Sequence, residues 1–221
     1  SIGFTNTTVS GDTRFDRVSH QIEMDNTLKF AEDFKGNSLC VVCGSTWFED
    51  EAVLLDYINS APENVKFIIA PHKIEADKIE DFTKKIVKKT VLHSSIDEVN
   101  ISDYSVLIID CIGLLSKLYS YAVIAYVGGA MGKTGLHNIL EPATFGVPIV
   151  IGKNFNEFPE AKRLRDLAGL FSISNAAECT EILNTLILND SLRNKTGMIA
   201  GHFVNKNTGA TKKIIDYLKA D

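Results

Sequence analysis

One stretch, Ile124 to Ile151, limits what this chain can fold into more than any other. It opens with Ile124-Ala125-Tyr126-Val127, an apolar run of the length of a buried strand. A loop with four glycines follows, at Gly128, Gly129, Gly132 and Gly135. A short amphipathic helix then opens near His137 and Asn138, carries Glu141 one turn in, and closes at Phe145-Gly146. Val147 to Ile151 reads as the next strand. Strand, glycine loop, polar helix start and strand form a βαβ unit suited to a nucleotide, because free N–H groups at a helix start attract phosphate. Two common phosphate loops are excluded. The glycines do not open a first βα unit as G-x-G-x-x-G, and position 127, where a Walker A would need its first glycine, is Val.

The rest of the chain repeats the same alternation. Apolar, β-rich runs occur at Ser38 to Cys43, Lys66 to Ala70, Thr90 to His93, Val106 to Asp110 and Leu170 to Ile173. Helical stretches fall near Asn26 to Phe34, at Phe48 to Ser60, Ile74 to Lys89 and up to about Tyr121. Further ones cover Glu157 to Leu167, Ala176 to Leu188, Ser191 to Val204 and Ala210 to Lys219. Glu49, Asp50 and Glu51 sit in a first helical turn, where the helix dipole favours acid. Strands that end in polar or glycine turns imply a parallel sheet covered on both faces. The crossover rule then gives an α/β fold, a Rossmann-like doubly wound parallel sheet of about six strands. Residues 26–221 contain no linker and are expected to form one domain. Residues 1–25 are polar, have no helical period and are expected to be a lead-in from a missing N-terminal domain, with Ser1 as a cloning scar.

Composition removes several classes of function. A net charge of -5 argues against nucleic acid as a partner. No apolar run approaches the roughly 20 residues that span a bilayer. Cys40 and Cys43 form a C-x-x-C, but within an apolar strand rather than at a helix start, and no second pair exists to complete a zinc site. They read as buried free thiols of a reducing compartment. No His, Cys or Asp cluster has ligand spacing, so no metal and no cofactor are expected. His93 and His202 read as structural or surface residues, and Trp47 as packing or a lid.

In an open parallel sheet a ligand sits beyond the carboxyl ends of the strands. The residues expected there are Gly44-Ser45-Thr46, Pro71-His72, Ile112-Gly113-Leu114, Gly128-Gly129 and, further on, His137-Asn138 with Glu141. Each has a stated chemistry. The helix start near His137-Asn138 and the Ser45 hydroxyl suit a phosphate, which Arg14 can grip bidentately. The Glu141 carboxylate can accept from both hydroxyls of a ribose. The backbone near Pro71-His72 and Ile112-Gly113 can line a flat base.

These motifs resemble a known family. Gly128-Gly129, then Gly135-Leu136-His137-Asn138-Ile139-Leu140-Glu141-Pro142-Ala143 and Gly146-Val147-Pro148, resemble the C-terminal domain of GT-B glycosyltransferases. More narrowly they are similar to 3-deoxy-D-manno-octulosonic acid (Kdo) transferase. Gly11-Asp12-Thr13-Arg14-Phe15-Asp16, Gly44-Ser45-Thr46 with the acidic residues after it, Ala70-Pro71-His72, and Asn154-Phe155 onward to Glu160-Ala161 agree in order and spacing. The resemblance implies the C-terminal, donor-binding half of a GT-B enzyme that moves Kdo from CMP-Kdo to lipid A precursor in lipopolysaccharide core biosynthesis. It implies nucleotide contacts from Pro71, His72, Ile112, Gly113, Leu114, Gly129, His137, Asn138, Ile139, Leu140 and Glu141, with Ser45 and Arg14 at the phosphate. The chain has His72-Lys73 and Ile112-Gly113-Leu114 where many members have Arg-His and Met-Gly-Glu, so backbone contacts are implied there.

The resemblance further implies that the catalytic base, the acceptor site and the membrane anchor belong to the missing N-terminal domain. The full enzyme would work at the cytoplasmic face of the Gram-negative inner membrane. This chain, soluble and without a catalytic residue of its own, would bind donor and not transfer sugar alone. Two other readings are open: a GT-B enzyme that uses a UDP-sugar, as transferase or 2-epimerase, and a non-catalytic nucleotide-binding domain.

Overall fold

The computed structural model describes residues 7–219. Residues 1–6, which include Ser1 and the start of the expected lead-in, lie outside the described residues. In chain order the elements are α1 (Thr13–Ser19), α2 (Lys29–Lys35), β1 (Leu39–Thr46), α3 (Phe48–Ser60), β2 (Val65–Pro71) and α4 (Ala76–Thr83). Next come β3 (Thr90–Leu92), β4 (Val106–Ile108), α5 (Leu115–Leu118), β5 (Ile124–Val127), α6 (Leu140–Thr144) and β6 (Ile149–Gly152). The last are α7 (Pro159–Asp166), β7 (Leu170–Ile173), α8 (Ala176–Leu188), α9 (Asp190–Lys206) and α10 (Ala210–Lys219).

The strands form one parallel sheet of seven, in the order β3-β4-β2-β1-β5-β6-β7. The parallel α/β architecture agrees with the sequence; the number of strands is seven where about six were expected. From β1 the first half of the chain builds outward through β2. The second half returns to pair β5 with the other side of β1 and builds away from it. The order reverses between β1 and β5, and in an open parallel sheet that is where a ligand crevice lies, beyond the carboxyl ends of the strands.

Alternation along each strand divides the core. In β1, Cys40 and Val42 face the layer with Phe34, Tyr119, Leu140 and Phe203, while Val41 and Cys43 face the layer with Leu54, Tyr57, Ile79 and Leu183. A strand covered on both faces must be apolar throughout, which is why β1 reads as an unbroken run. Cys40 and Cys43 are buried and free, and burial pushes both thiols up, Cys40 to about 12. α3 packs against α8 on one face, and α6 against α9 on the other.

Two expectations are corrected. Residues 13–19 were expected to lack helical structure. They form α1, capped by the Asp12 carboxylate, which accepts from the Arg14 N–H at 2.9 Å. α1 packs on α6, α9 and α10, and its Phe15 and Val18 are buried. Phe15 meets Phe203 edge to face at 5.6 Å. Asp16 accepts from the N–H groups of Gly209, at 2.6 Å, and Thr211, at 3.2 Å, at the start of α10. Seven residues, about two helical turns, with two buried apolar side chains are too few for their period to stand out. The second correction is α4, which ends at Thr83 rather than at Lys89. Asn59 of α3 donates to the Lys85 carbonyl and accepts from the Val87 N–H, which draws the chain out of helix.

If α1 is part of the cooperative fold, Phe15→Ala costs about 3 kcal/mol or more, as large-to-small changes in a core do. Urea unfolding should show this as a lower midpoint; an unchanged midpoint would mean that α1 docks independently of the sheet.

Candidate functional site

The crevice is built where β1 and β5 end. β1 bulges between Gly44 and Thr46, and Ser45 sits at φ 54, a left-handed conformation that costs a non-glycine residue energy. The glycine loop passes directly over this bulge. A Cβ at position 128 would lie 2.3 Å from the Ser45 carbonyl oxygen, so only glycine fits. At Gly129, φ is 96, and a Cβ would meet the Gly135 carbonyl oxygen at 2.0 Å.

A buried carboxylate fixes this crossing. Asp50 is fully buried at the start of α3. Its Oδ1 accepts from the Tyr126 hydroxyl of β5 at 2.8 Å. Its Oδ2 accepts from the N–H groups of Gly129, at 2.8 Å, and Trp47, at 3.0 Å. Burial raises its pKa, and these donors work against that rise. Asn154, beyond β6, donates to the carbonyls of Met131 and Gly132 and holds the far side of the same loop.

Two polar groups stand on this frame. In the first, Trp47 Nε1 donates to His137 Nε2 at 3.0 Å, and the His72 ring lies 4.6 Å from the indole and 4.3 Å from the His137 ring. Residues from the ends of β1, β2 and β5 thus meet. In the second, the Glu141 carboxylate accepts from Asn138 Nδ2 at 3.0 Å and from Ser116 Oγ at 3.1 Å. Asn138 Oδ1 in turn accepts from the Leu140 N–H at 3.1 Å. Glu141 therefore has a fixed orientation, and each of its oxygens keeps accepting capacity.

The other expected residues fall in different places. Ser45 and Gly129 lie in the crevice walls. Pro71 ends β2, half-buried. Ile112 and Gly113 are exposed in the loop after β4, and Leu114 is half-buried. Ile139 and Leu140 are buried in the core, which leaves only backbone for a ligand, and the Leu140 N–H is already bonded. The helix expected to open at His137-Asn138 opens at Leu140 and is five residues long. Arg14 was expected at a phosphate. Its guanidinium is held by Asp12 and Glu160, each at 2.8 Å, and among the described residues makes no hydrogen bond to the crevice residues. Both carboxylates push its pKa further up.

The sequence marks Asp50 only as a first-turn acid, Asn154 only as part of a matching segment and Trp47 only as packing or a lid, and it does not mark Ser116. Asp50 hid among three acidic residues at a helix start. An acid at the third helical position, from which a side chain can reach back to the N-cap N–H, was the available signal. A separate cleft of about 480 Å³ adjoins Trp47 between α3 and α4, with Leu55, Ile79 and Phe82 in its walls. His137, Asn138 and Glu141 do not line it. Among the described residues, no group of three His, Cys, Asp or Glu side chains could hold a metal, and no helix is long and apolar enough to cross a membrane.

This sheet order, with a polar crevice at its switch point, defines one Rossmann-like half of a GT-B glycosyltransferase fold. No family model matches the sequence. The chain is 29% identical over 176 residues to the Kdo transferase of Haemophilus influenzae, covering 77% of this chain and 41% of that protein. It is 30% identical over 189 residues to the Kdo transferase of Rickettsia prowazekii, covering 81% and 40%. The chain thus spans about two fifths of the length of these relatives. Among solved structures, the C-terminal CMP-Kdo binding domain of WaaA from Acinetobacter baumannii matches with a TM-score of 0.69 at 20% identity, over 87% of this chain and 99% of that one. The UDP-GlcNAc 2-epimerase of Neisseria meningitidis bound to UDP-GlcNAc matches with a TM-score of 0.67 at 18% identity, over 96% and 54%. In sequence and fold, the chain is a relative of the C-terminal domain of the Kdo transferases.

Replacing Asp50 by Ala leaves three donors without their acceptor, two of them buried in the loop crossing. Each such orphan costs about 1–3 kcal/mol. Asp50→Ala should therefore lower the unfolding midpoint more than Glu49→Ala, a change at an exposed neighbour; equal midpoints would remove Asp50 from its role as a pin.

Proposed function

We propose that this chain is the donor-binding half of a Kdo transferase, a glycosyltransferase of lipopolysaccharide biosynthesis. CMP-Kdo would lie in the crevice beyond β1 and β5. The observation that carries the reading is the pairing of Kdo transferase relatives with an oriented Asn138–Glu141–Ser116 cluster at the switch point. Glu141 would accept from the ribose hydroxyls. The phosphate would lie against Ser45 and the backbone of the glycine loop.

In the reaction, a sugar hydroxyl of the lipid A precursor attacks the anomeric carbon of Kdo, and CMP leaves. Negative charge develops on the departing phosphate. Preoriented N–H donors beside it lower the barrier, because they need no reorganisation as the charge forms. We assign the base that takes the hydroxyl's proton, the acceptor site and the membrane anchor to a separate N-terminal domain of the whole enzyme, at the cytoplasmic face of the inner membrane. On this reading the present chain transfers no Kdo alone.

Calorimetric titration distinguishes the candidates. The chain should bind CMP more tightly than UDP, and Glu141→Ala should weaken CMP about tenfold or more, as loss of a charged hydrogen bond does. Preference for UDP would move the chain to the UDP-sugar enzymes. Unchanged CMP affinity in Glu141→Ala and Asn138→Ala would make the cluster structural.

A further inference from the structure

The contact between Trp47 and His137 determines more than packing. The two rings lie 12° from parallel with centroids 6.4 Å apart, so they meet edge to edge in nearly one plane, joined by the 3.0 Å hydrogen bond. His72 lies across the pair. An indole N–H can only donate. An imidazole that accepts at Nε2 is neutral and carries its proton on Nδ1. Among the described residues, Nδ1 of His137 makes no hydrogen bond.

We propose that Trp47 is a positioning residue: it fixes His137 as the neutral Nδ1–H tautomer, so that this N–H is presented to an anionic oxygen of the ligand in the crevice. The ligand part rests on the functional reading above. A neutral donor suits a site that must release its anion, since it binds phosphate less tightly than a full positive charge does.

The arrangement has a defined response to acid. A proton on Nε2 would set two donors against each other across the Trp47 contact. It would also place a positive charge against the His72 ring. Other charged groups around the pair are Asp50 and Glu51 at the start of α3, Glu141 four residues on, and Lys73, whose Nζ lies 5.3 Å from the indole centroid. Burial first, and His72 second, hold the pKa of His137 below its ordinary value. The unfolded chain therefore takes this proton first. Stability contributed by the neutral ring is full above about pH 6.5 and is lost as pH falls from there toward the lowered value.

The test uses the 15N-labelled chain. Long-range imidazole correlations at about pH 7.5 should show His137 neutral with its proton on Nδ1. In Trp47→Phe, part of the ring should convert to the Nε2–H form, and its titration should move up toward about 6.5. A wild-type ring protonated at Nε2, or a tautomer unchanged in Trp47→Phe, overturns the role of Trp47. The amide spectrum of the variant reports whether it is folded, and the wild-type tautomer decides the question without any variant. CMP affinity should fall about tenfold in Trp47→Phe; equal affinity overturns the ligand part. If the wild-type chain fails to bind CMP, the functional reading and the ligand part fall together, and the tautomer still decides what Trp47 does.

Discussion

A buried carboxylate holds the crevice together. Asp50 accepts from a strand, from a glycine loop and from its own helix start, and it ties these three elements together at one side chain. A charge without water is tolerable when donors surround it. Here the donors are two backbone N–H groups that would otherwise be orphans and one buried tyrosine hydroxyl. The helix satisfies its own N-terminus and the loop with a single side chain. The position of Trp47, and so of the rings it touches, follows from this bond.

The frame was more legible in the sequence than the pins. α3 and α8 occur at the expected residues because each has a long amphipathic run with a clear start. The seven strands appear as apolar runs because a doubly covered sheet leaves no room for polar alternation. α1 was hidden because seven residues give too little period, and its docking depends on Phe203, far along the chain. α4 was overread because the residue that ends it, Asn59, belongs to another helix.

The site shows the same division. His137, Asn138 and Glu141 were visible as polar residues in a helix-start pattern. That Asn138 and Ser116 both grip Glu141 was not, since Ser116 arrives from the β4 side of the sheet. Arg14 has partners that its sequence context does not show. A lone arginine in sequence reads as free charge, yet local Asp12 and distant Glu160 take up its guanidinium. Trp47 read as packing because apolar area is what a tryptophan shows in a sequence. Its one polar atom acquires meaning only opposite a particular nitrogen.

The Asp16 bonds to the start of α10 have a mechanical meaning. They join the first described helix to the last, with Phe15 on Phe203 directly alongside. The junction closes the two flanks of the described chain on each other at a distance from the crevice, which is suspended on the central strands.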